Sequence, residues 1–116
     1  MYLSGQSESE LINALIKDIR AVGGSVRVSV GRHLRRGYRT DLLVEKDRKK
    51  IAVEVKLTPI TLASIRHMKS LRVQHAIICA PSEALADTAG SVLEYATLAS
   101  VNICDIDQVA DLIARL

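Results

Sequence analysis

The strongest constraint on the fold of this chain is a pair of apolar segments, residues 38–45 and 50–57, with a short charged break between them. Both segments are rich in Val, Ile or Leu, and two such runs joined by a brief polar stretch are typical of a β-hairpin. The sequence therefore predicts two antiparallel strands around a turn centred between Asp47 and Arg48.

The position of this turn fixes the register of the hairpin, because paired residues lie at equal distances from its centre. Asp41 then lies opposite Glu54, and Glu45 pairs favourably with Lys50. Lys56 follows Glu54 by two residues and falls on the same face. In this register the opposite, buried face collects five apolar residues, Leu42, Val44, Ile51, Val53 and Val55.

The remaining patterns predict a single α/β domain over residues 1–116. Helices are predicted over residues 7–22 with Ser7 as the N-cap, from Thr58-Pro59 to 71, over 82–99 and from Asp107, and further strands over 25–30, 75–79 and 101–104. The resulting order is α-β-β-β-α-β-α-β-α. A hairpin followed by strand-helix-strand crossovers implies a mixed β-sheet, antiparallel at one side, flanked by helices on both faces.

Charge is distributed unevenly along the chain. Residues 1–72 hold fifteen of the sixteen Lys and Arg residues against seven acids, whereas residues 73–116 hold one Arg against six acids. Because nucleic acids are bound largely through neutralised phosphates, we expect the basic half to face a polyanion, and a nucleic acid suits this imbalance. The alternative is a basic surface that only keeps the chain solvated. The absence of Trp and Phe argues against a base-stacking platform.

The two carboxylates of the hairpin are the candidate chemical site. Side chains directly opposite each other in an antiparallel pair lie about 5 Å apart, where two carboxylates repel unless a cation lies between them. Asp41 and Glu54 are therefore candidate ligands of Mg²⁺ or Mn²⁺. The Lys56 ammonium is suited to orienting an attacking water or offsetting charge on a phosphate. The structural alternative is an exposed salt-bridged patch.

Around these residues the two strands read RTDLLV at 39–44 and IAVEVKL at 51–57. This pattern closely resembles the signature of the PD-(D/E)XK nuclease superfamily, in which an aspartate ends an apolar strand and an apolar-flanked Glu-x-Lys follows. Thr40 departs from the proline in the family name. The resemblance implies a restriction endonuclease-like fold with an α-β-β-β-α-β core. It also implies metal-dependent hydrolysis of DNA phosphodiester bonds by Asp41, Glu54 and Lys56.

Within that superfamily the archaeal Holliday junction resolvases look most similar in size and layout. The likeness implies an endonuclease that selects branched or duplex DNA by structure, and cutting of two strands implies a homodimer. A restriction, repair or mobile-element nuclease stays open, as does an RNA substrate. The alternative from a different class is a non-catalytic nucleic-acid-binding or assembly module on the same fold.

Members of the superfamily often supply a further glutamate from the first helix. Glu8 lies in the middle of the apolar stripe of that helix, whereas Glu10 points almost the opposite way. Glu8 is therefore our candidate for a third carboxylate at the metal. Its alternative role is that of a first-turn acid interacting with the helix dipole. Glu10 matches a capping box with Ser7.

A basic, glycine-bounded loop is predicted between the first two strands, over residues 31–37. Residues 27–39 hold five arginines and no acid. Arginine suits phosphate because its planar fork donates two hydrogen bonds. A solubilising loop is the alternative. The candidate phosphate contacts of this region are Arg27, Arg32, His33, Arg35, Arg36 and Arg39.

The other histidines and the cysteines indicate structure more than function. His67 and His75 fall in a helix and a buried strand, and Cys79 and Cys104 are expected to be buried thiols. No apolar run approaches the ~20 residues that a membrane span requires, and the N-terminus lacks the layout of a signal peptide. We therefore expect a soluble, cytoplasmic protein.

Overall fold

The structure, a computed structural model, describes residues 6–31, 33–35 and 38–116, with residues 33–35 and 38 in backbone only. No helix in these ranges is both long enough and apolar enough to cross a membrane. The helices are α1 (Glu8–Arg20), α2 (Leu62–Ser70), α3 (Ser82–Ala86), α4 (Gly90–Leu98) and α5 (Val109–Arg115). The strands are β1 (Val26–Val30), β2 (His33–Arg35), β3 (Tyr38–Arg39), β4 (Leu42–Lys46), β5 (Lys49–Val55), β6 (His75–Ala80) and β7 (Val101–Asp105).

A mixed sheet of five strands, in the order β1-β4-β5-β6-β7, forms the centre of the molecule. Strands β1, β4 and β5 are antiparallel neighbours, and β5, β6 and β7 are parallel. Parallel neighbours need a crossover, which α2 supplies between β5 and β6 and α3 and α4 supply between β6 and β7. Strands β2 and β3 form a separate two-stranded sheet. The predicted α/β fold, a mixed sheet flanked by helices, is confirmed.

Two apolar cores lie on opposite faces of the sheet. One contains residues of α1 and α5, and the other contains residues of α2, α3 and α4. Strand β5 contributes to both: Ile51, Val53 and Val55 point toward α1 and α5, and Ala52 points toward α2. A strand covered on both faces needs a nearly continuous apolar sequence, which explains the composition of β5.

The predicted second strand, 38–45, is divided in two. Tyr38–Arg39 pairs with β2, and the strand of the main sheet begins only at Leu42. The loop predicted over 31–37 therefore contains strand β2, while Arg32, Arg36 and Gly37 lie outside the described residues.

The first helix is confirmed, since Ser7 accepts from the Glu10 amide and the Glu10 side chain accepts from the Ser7 amide in a capping box. The predicted start of the second helix at Thr58-Pro59 is wrong. Thr61 is the N-cap of α2, because its hydroxyl accepts from the Ser64 amide.

The long helix predicted over residues 82–99 is interrupted after α3. Thr88 is buried there, and its hydroxyl donates to the Ala84 carbonyl and accepts from the Ile60 amide. These two bonds fix the break between α3 and α4 against the loop that precedes α2. The last helix also differs from its prediction, because a 3₁₀ turn at Ile106–Gln108 precedes α5.

The hairpin turn between β4 and β5 lies where the sequence predicted it. Asp47 and Arg48 have φ values of 50° and 68°, the left-handed conformation that both central residues of a type I′ turn require. The register follows from it, with Leu42 opposite Val53 and Glu45 opposite Lys50. The predicted pairing of the hairpin is confirmed.

Arg48→Gly should raise the free energy of unfolding by about 0.5–1 kcal/mol, because glycine adopts the left-handed conformation without steric cost. Urea unfolding followed by circular dichroism measures this change. Lys50→Gly is the matched control, since it removes the same charge from the interior of β5. The control should lower stability, and stabilisation by both variants would contradict the assignment of strain to Arg48.

Candidate metal and active site

The candidate residues lie where three strands of the main sheet end or begin, at one end of the strands. Glu54 lies at the carboxyl end of β5, and Asp41 precedes β4 at the same end. The Gly31 amide, just after β1, donates to the Asp41 carbonyl at 2.9 Å, and the Lys56 amide donates to the Cys79 carbonyl at 2.9 Å. Ligand sites of open α/β sheets are commonly found outside the carboxyl ends of strands.

The backbone of β5 holds the carboxylate of Asp41 in place. Asp41 Oδ2 accepts a hydrogen bond from the Val55 amide at 2.9 Å. The preceding residue, Thr40, is buried, and its hydroxyl donates to the carbonyls of Leu42 and Val53 at 3.1 and 3.0 Å. The Asp41 side chain therefore has a fixed orientation toward the end of β5.

Glu54 lies half-buried beside Asp41. It pairs with Ile78 of β6, a member of the core on the α2 side, so both side chains point to that face. Burial, a hydrogen bond with Asp41 and the Asp41 charge raise the pKa of Glu54 to about 8, and the Lys56 charge opposes this rise. At neutral pH, in the chain without a bound cation, Glu54 therefore retains its proton.

The structure brings together three of the four predicted active-site residues. Asp41 and Glu54 are in hydrogen-bonding contact, and Lys56 is close enough to influence the pKa of Glu54. The predicted proximity is confirmed, while the metal-binding and catalytic roles stay predictions.

Glu8 is not part of this group. It is exposed in the first turn of α1, whose apolar side chains pack on the sheet face opposite to the one that Glu54 faces. Within residues 6–31, 33–35 and 38–116, no set of three or more His, Cys, Asp or Glu side chains is placed to hold a metal. The role of Glu8 as a third ligand stays a prediction that this geometry does not support.

The predicted phosphate contacts are spread over several elements. Arg27 is exposed on β1 and forms an ion pair with Glu45 at 3.1 Å, close to the hairpin turn and away from Asp41. His33 and Arg35 lie in β2, and Arg39 is exposed at the end of β3. Arg32 and Arg36 lie outside the described residues.

Two residues that the sequence did not indicate help to position Asp41. Thr40 had drawn notice only as a departure from proline, and nothing local in the sequence predicts its burial. His67 of α2 contacts the Arg39 carbonyl through Nε2 at 2.6 Å, which joins α2 to the segment leading into Asp41. This contact is invisible in the sequence because it spans 28 residues.

The cysteines lie beside the site as thiols. Cys79 and Cys104 are both free and face each other on β6 and β7. Burial raises the pKa of Cys79 well above its usual range, and its Sγ donates to the Glu54 carbonyl at 3.5 Å. The prediction of buried thiols is confirmed for Cys79, and Cys104 is half-buried.

The comparisons with known proteins concern the fold alone. No family model matches the sequence, and no curated protein sequence matches it. The structure of SfsA from Pyrococcus furiosus, determined in complex with Ca²⁺, is similar to this chain with a TM-score of 0.54 and 17% identity. The similarity covers 82% of this chain and 55% of SfsA, so this chain spans about half the length of that protein.

The likeness shows that this chain shares its fold with part of SfsA. Membership of the PD-(D/E)XK superfamily stays a prediction.

The pKa of Glu54 predicts how stability changes with pH. In the unfolded chain the carboxyl has a pKa near the model-peptide value of 4.5, whereas in the folded chain the pKa is about 8. Between these values the folded state binds more protons, so the free energy of unfolding should fall as pH rises from 4.5 to 8 in metal-free buffer.

Urea unfolding at several pH values measures this slope for the wild type and for Glu54→Gln, which cannot titrate. The substitution should flatten the profile, whereas Glu94→Gln on the exposed side of α4 should keep the wild-type slope. Parallel profiles for wild type and Glu54→Gln would show that Glu54 does not titrate in this range.

Proposed function

We propose that this chain is a Mg²⁺-dependent endonuclease that hydrolyses phosphodiester bonds of DNA, with Asp41, Glu54 and Lys56 as its active site. The observation that carries the proposal is the half-buried pair formed by the carboxyl groups of Asp41 and Glu54, which lies beside Lys56. Two carboxyl groups in contact destabilise each other's charged form, and a divalent cation between them removes this repulsion.

The pair suits Mg²⁺, or Mn²⁺ with the same oxygen ligands. Mg²⁺ is commonly held by one or two carboxylates together with waters and phosphate oxygens of the substrate, so Asp41 and Glu54 suffice without Glu8. SfsA, which shares the fold, was determined in complex with Ca²⁺, a cation that also prefers oxygen ligands. When bound, the cation would polarise the phosphate and lower the pKa of a water.

The side chains of the site have distinct tasks in this proposal. Asp41 is the fixed ligand, because the Val55 amide orients its Oδ2. Glu54 would hold the cation in its ionised form, so cation affinity should rise with pH toward the Glu54 pKa of about 8. Lys56 orients the attacking water or offsets the charge that develops on the phosphate.

The substrate follows from charge and from the resemblance to resolvases. The basic half of the chain, residues 1–72, contains all three active-site residues, and a polyanion is the natural partner of such a surface. The likeness to Holliday junction resolvases extends the proposal to branched DNA and to a homodimer that cuts two strands.

Asp41→Asn and Glu54→Gln should each lower cleavage at least about 100-fold and leave DNA affinity largely intact, because they remove ligand charge while retaining shape. Asparagine can still accept from the Val55 amide, so the fold should persist. The assay compares a four-way junction, a flap, a linear duplex, a single strand and RNA, each with Mg²⁺ and with EDTA.

A second measurement separates metal binding from activity. Mg²⁺ should raise the melting temperature of the wild type at pH 8 and have little effect on Asp41→Asn. Unchanged cleavage by both variants would refute the proposed active site. DNA binding without cleavage of any substrate by the wild type would favour the non-catalytic module.

Lys56→Ala should lower the single-turnover cleavage rate by about 10²–10³-fold with little change in affinity, as removal of one preorganised electrostatic group commonly does. Lys56→Arg keeps the charge on a wider, planar group, so a site that needs a compact ammonium should stay impaired. Melting temperatures recorded alongside exclude unfolding. Equal rates for the three proteins would assign Lys56 a structural role.

A further inference from the structure

We propose that α2 carries a second phosphate-binding surface, formed by Arg66, Lys69 and Arg72, along which a DNA backbone lies after it leaves the carboxyl pair. The choice of DNA rests on the proposed function. We call these three residues the α2 basic surface. It was not among the phosphate contacts expected from the sequence, which all lay in residues 27–39.

The charge of the α2 basic surface is not compensated by neighbours in sequence. Residues 55–82 contain no Asp or Glu and four Lys or Arg. Arg66, Lys69 and Arg72 are all exposed. Among the residues that the structure describes, no ion pair within 4.0 Å joins Arg66, Lys69 or Arg72 to a carboxylate. Their positive charge is therefore available to a polyanion.

The α2 basic surface lies on the same side of the sheet as the carboxyl pair. Helix α2 packs on the face toward which Glu54 points. His67, next to Arg66 in the helix, contacts the Arg39 carbonyl at 2.6 Å, two residues before Asp41. Lys56 also leads from the end of β5 into the segment that precedes α2. A backbone whose phosphate reaches Asp41 and Glu54 can thus continue onto α2.

The three cations lie within one short stretch of the chain, in α2 and just after its C-cap. Arg66 and Lys69 are three residues apart and therefore neighbours on the helix surface, with a rise of about 4.5 Å between them. Arg72 follows just after the end of α2. In a duplex, each strand carries one phosphate per about 3.4 Å of axis, so the α2 basic surface spans about three phosphates.

Arg66 contacts an aromatic ring, which does not neutralise its positive charge. Its guanidinium lies over the ring of Tyr95 in α4, 6.0 Å from the ring centre. An aromatic face attracts a cation but leaves its N–H groups unused, in contrast to the carboxylate that binds Arg27. The guanidinium can therefore donate two hydrogen bonds to a phosphate.

The test measures DNA binding in EDTA, where no cleavage occurs, for the triple variant Arg66→Gln, Lys69→Gln and Arg72→Gln. The matched control is Lys17→Gln, Arg20→Gln and Arg115→Gln, which removes the same charge from α1 and α5 on the opposite face of the sheet. Fluorescence anisotropy with a linear duplex and a four-way junction, between 50 and 200 mM salt, gives the slope of log affinity against log salt.

The α2 variant should lower the magnitude of this slope by about 2.7, since each phosphate contact contributes about 0.9. The affinity of the wild type should then fall about 40-fold more than that of the variant over this salt range. Lys69→Gln alone should lower the slope by about 0.9, and Arg66→Lys, which keeps a cation, should retain it. The control should keep the wild-type slope.

Equal slopes for the α2 variant and the control would overturn the proposal, as would failure of the wild type to bind either DNA. Melting temperatures show whether the triple variant is folded, and the two single substitutions repeat the comparison if it is not. Because the assay needs no metal, α2-dependent binding without cleavage in Mg²⁺ would refute only the nuclease. Cleavage with binding independent of α2 would refute only this surface.

Discussion

The hydrogen bond from the Val55 amide to Asp41 Oδ2 is the interaction on which the site depends. It links the segment before β4 to the end of β5, and so places one carboxylate against the other. The bond forms because the type I′ turn at Asp47 and Arg48 sets the register several residues away. A shift by one residue would turn Glu54 into the apolar core formed with α1 and α5, and Val53 toward the face that α2 covers. The site and the core are thus fixed by the same register.

The close placement of the Asp41 and Glu54 carboxyl groups lowers the stability of the folded chain. Two carboxyl groups in contact, one of them with its pKa raised to about 8, are unfavourable in a protein without a bound cation. The surrounding structure maintains the contact through bonds of its own, with Thr40 bound to two carbonyls and His67 bound to Arg39. Such local strain among well-fixed elements is typical of sites that bind a ligand.

Much of the fold follows from local patterns in the sequence. The alternation in β4 and β5 predicts the hairpin register, and Ser7 with Glu10 predicts the start of α1, because both depend on residues near in sequence. The strand division at Thr40 and the helix break at Thr88 depend instead on hydroxyl groups that find distant partners, Val53 and Ile60. The position of Glu8 away from Asp41 and Glu54 was not predicted for a related reason. A helical stripe predicts which face of α1 is buried, and it does not predict on which side of the sheet α1 packs.

The helices that cover both faces of the sheet also limit where the proposed substrate can approach. Glu54 points to the face covered by α2, and α1 covers the other face, so the proposed DNA backbone would reach the carboxyl pair on the α2 side of the sheet. An acid-free stretch of 28 residues, 55–82, follows Glu54 directly, and it forms this flank of the site. Negative carboxylates repel phosphate, and a neighbouring surface of uncompensated cations reduces that repulsion before any metal binds. In the proposed function, Asp41 and Glu54 hold the cation while the positive charges of the neighbouring α2 basic surface attract the DNA backbone.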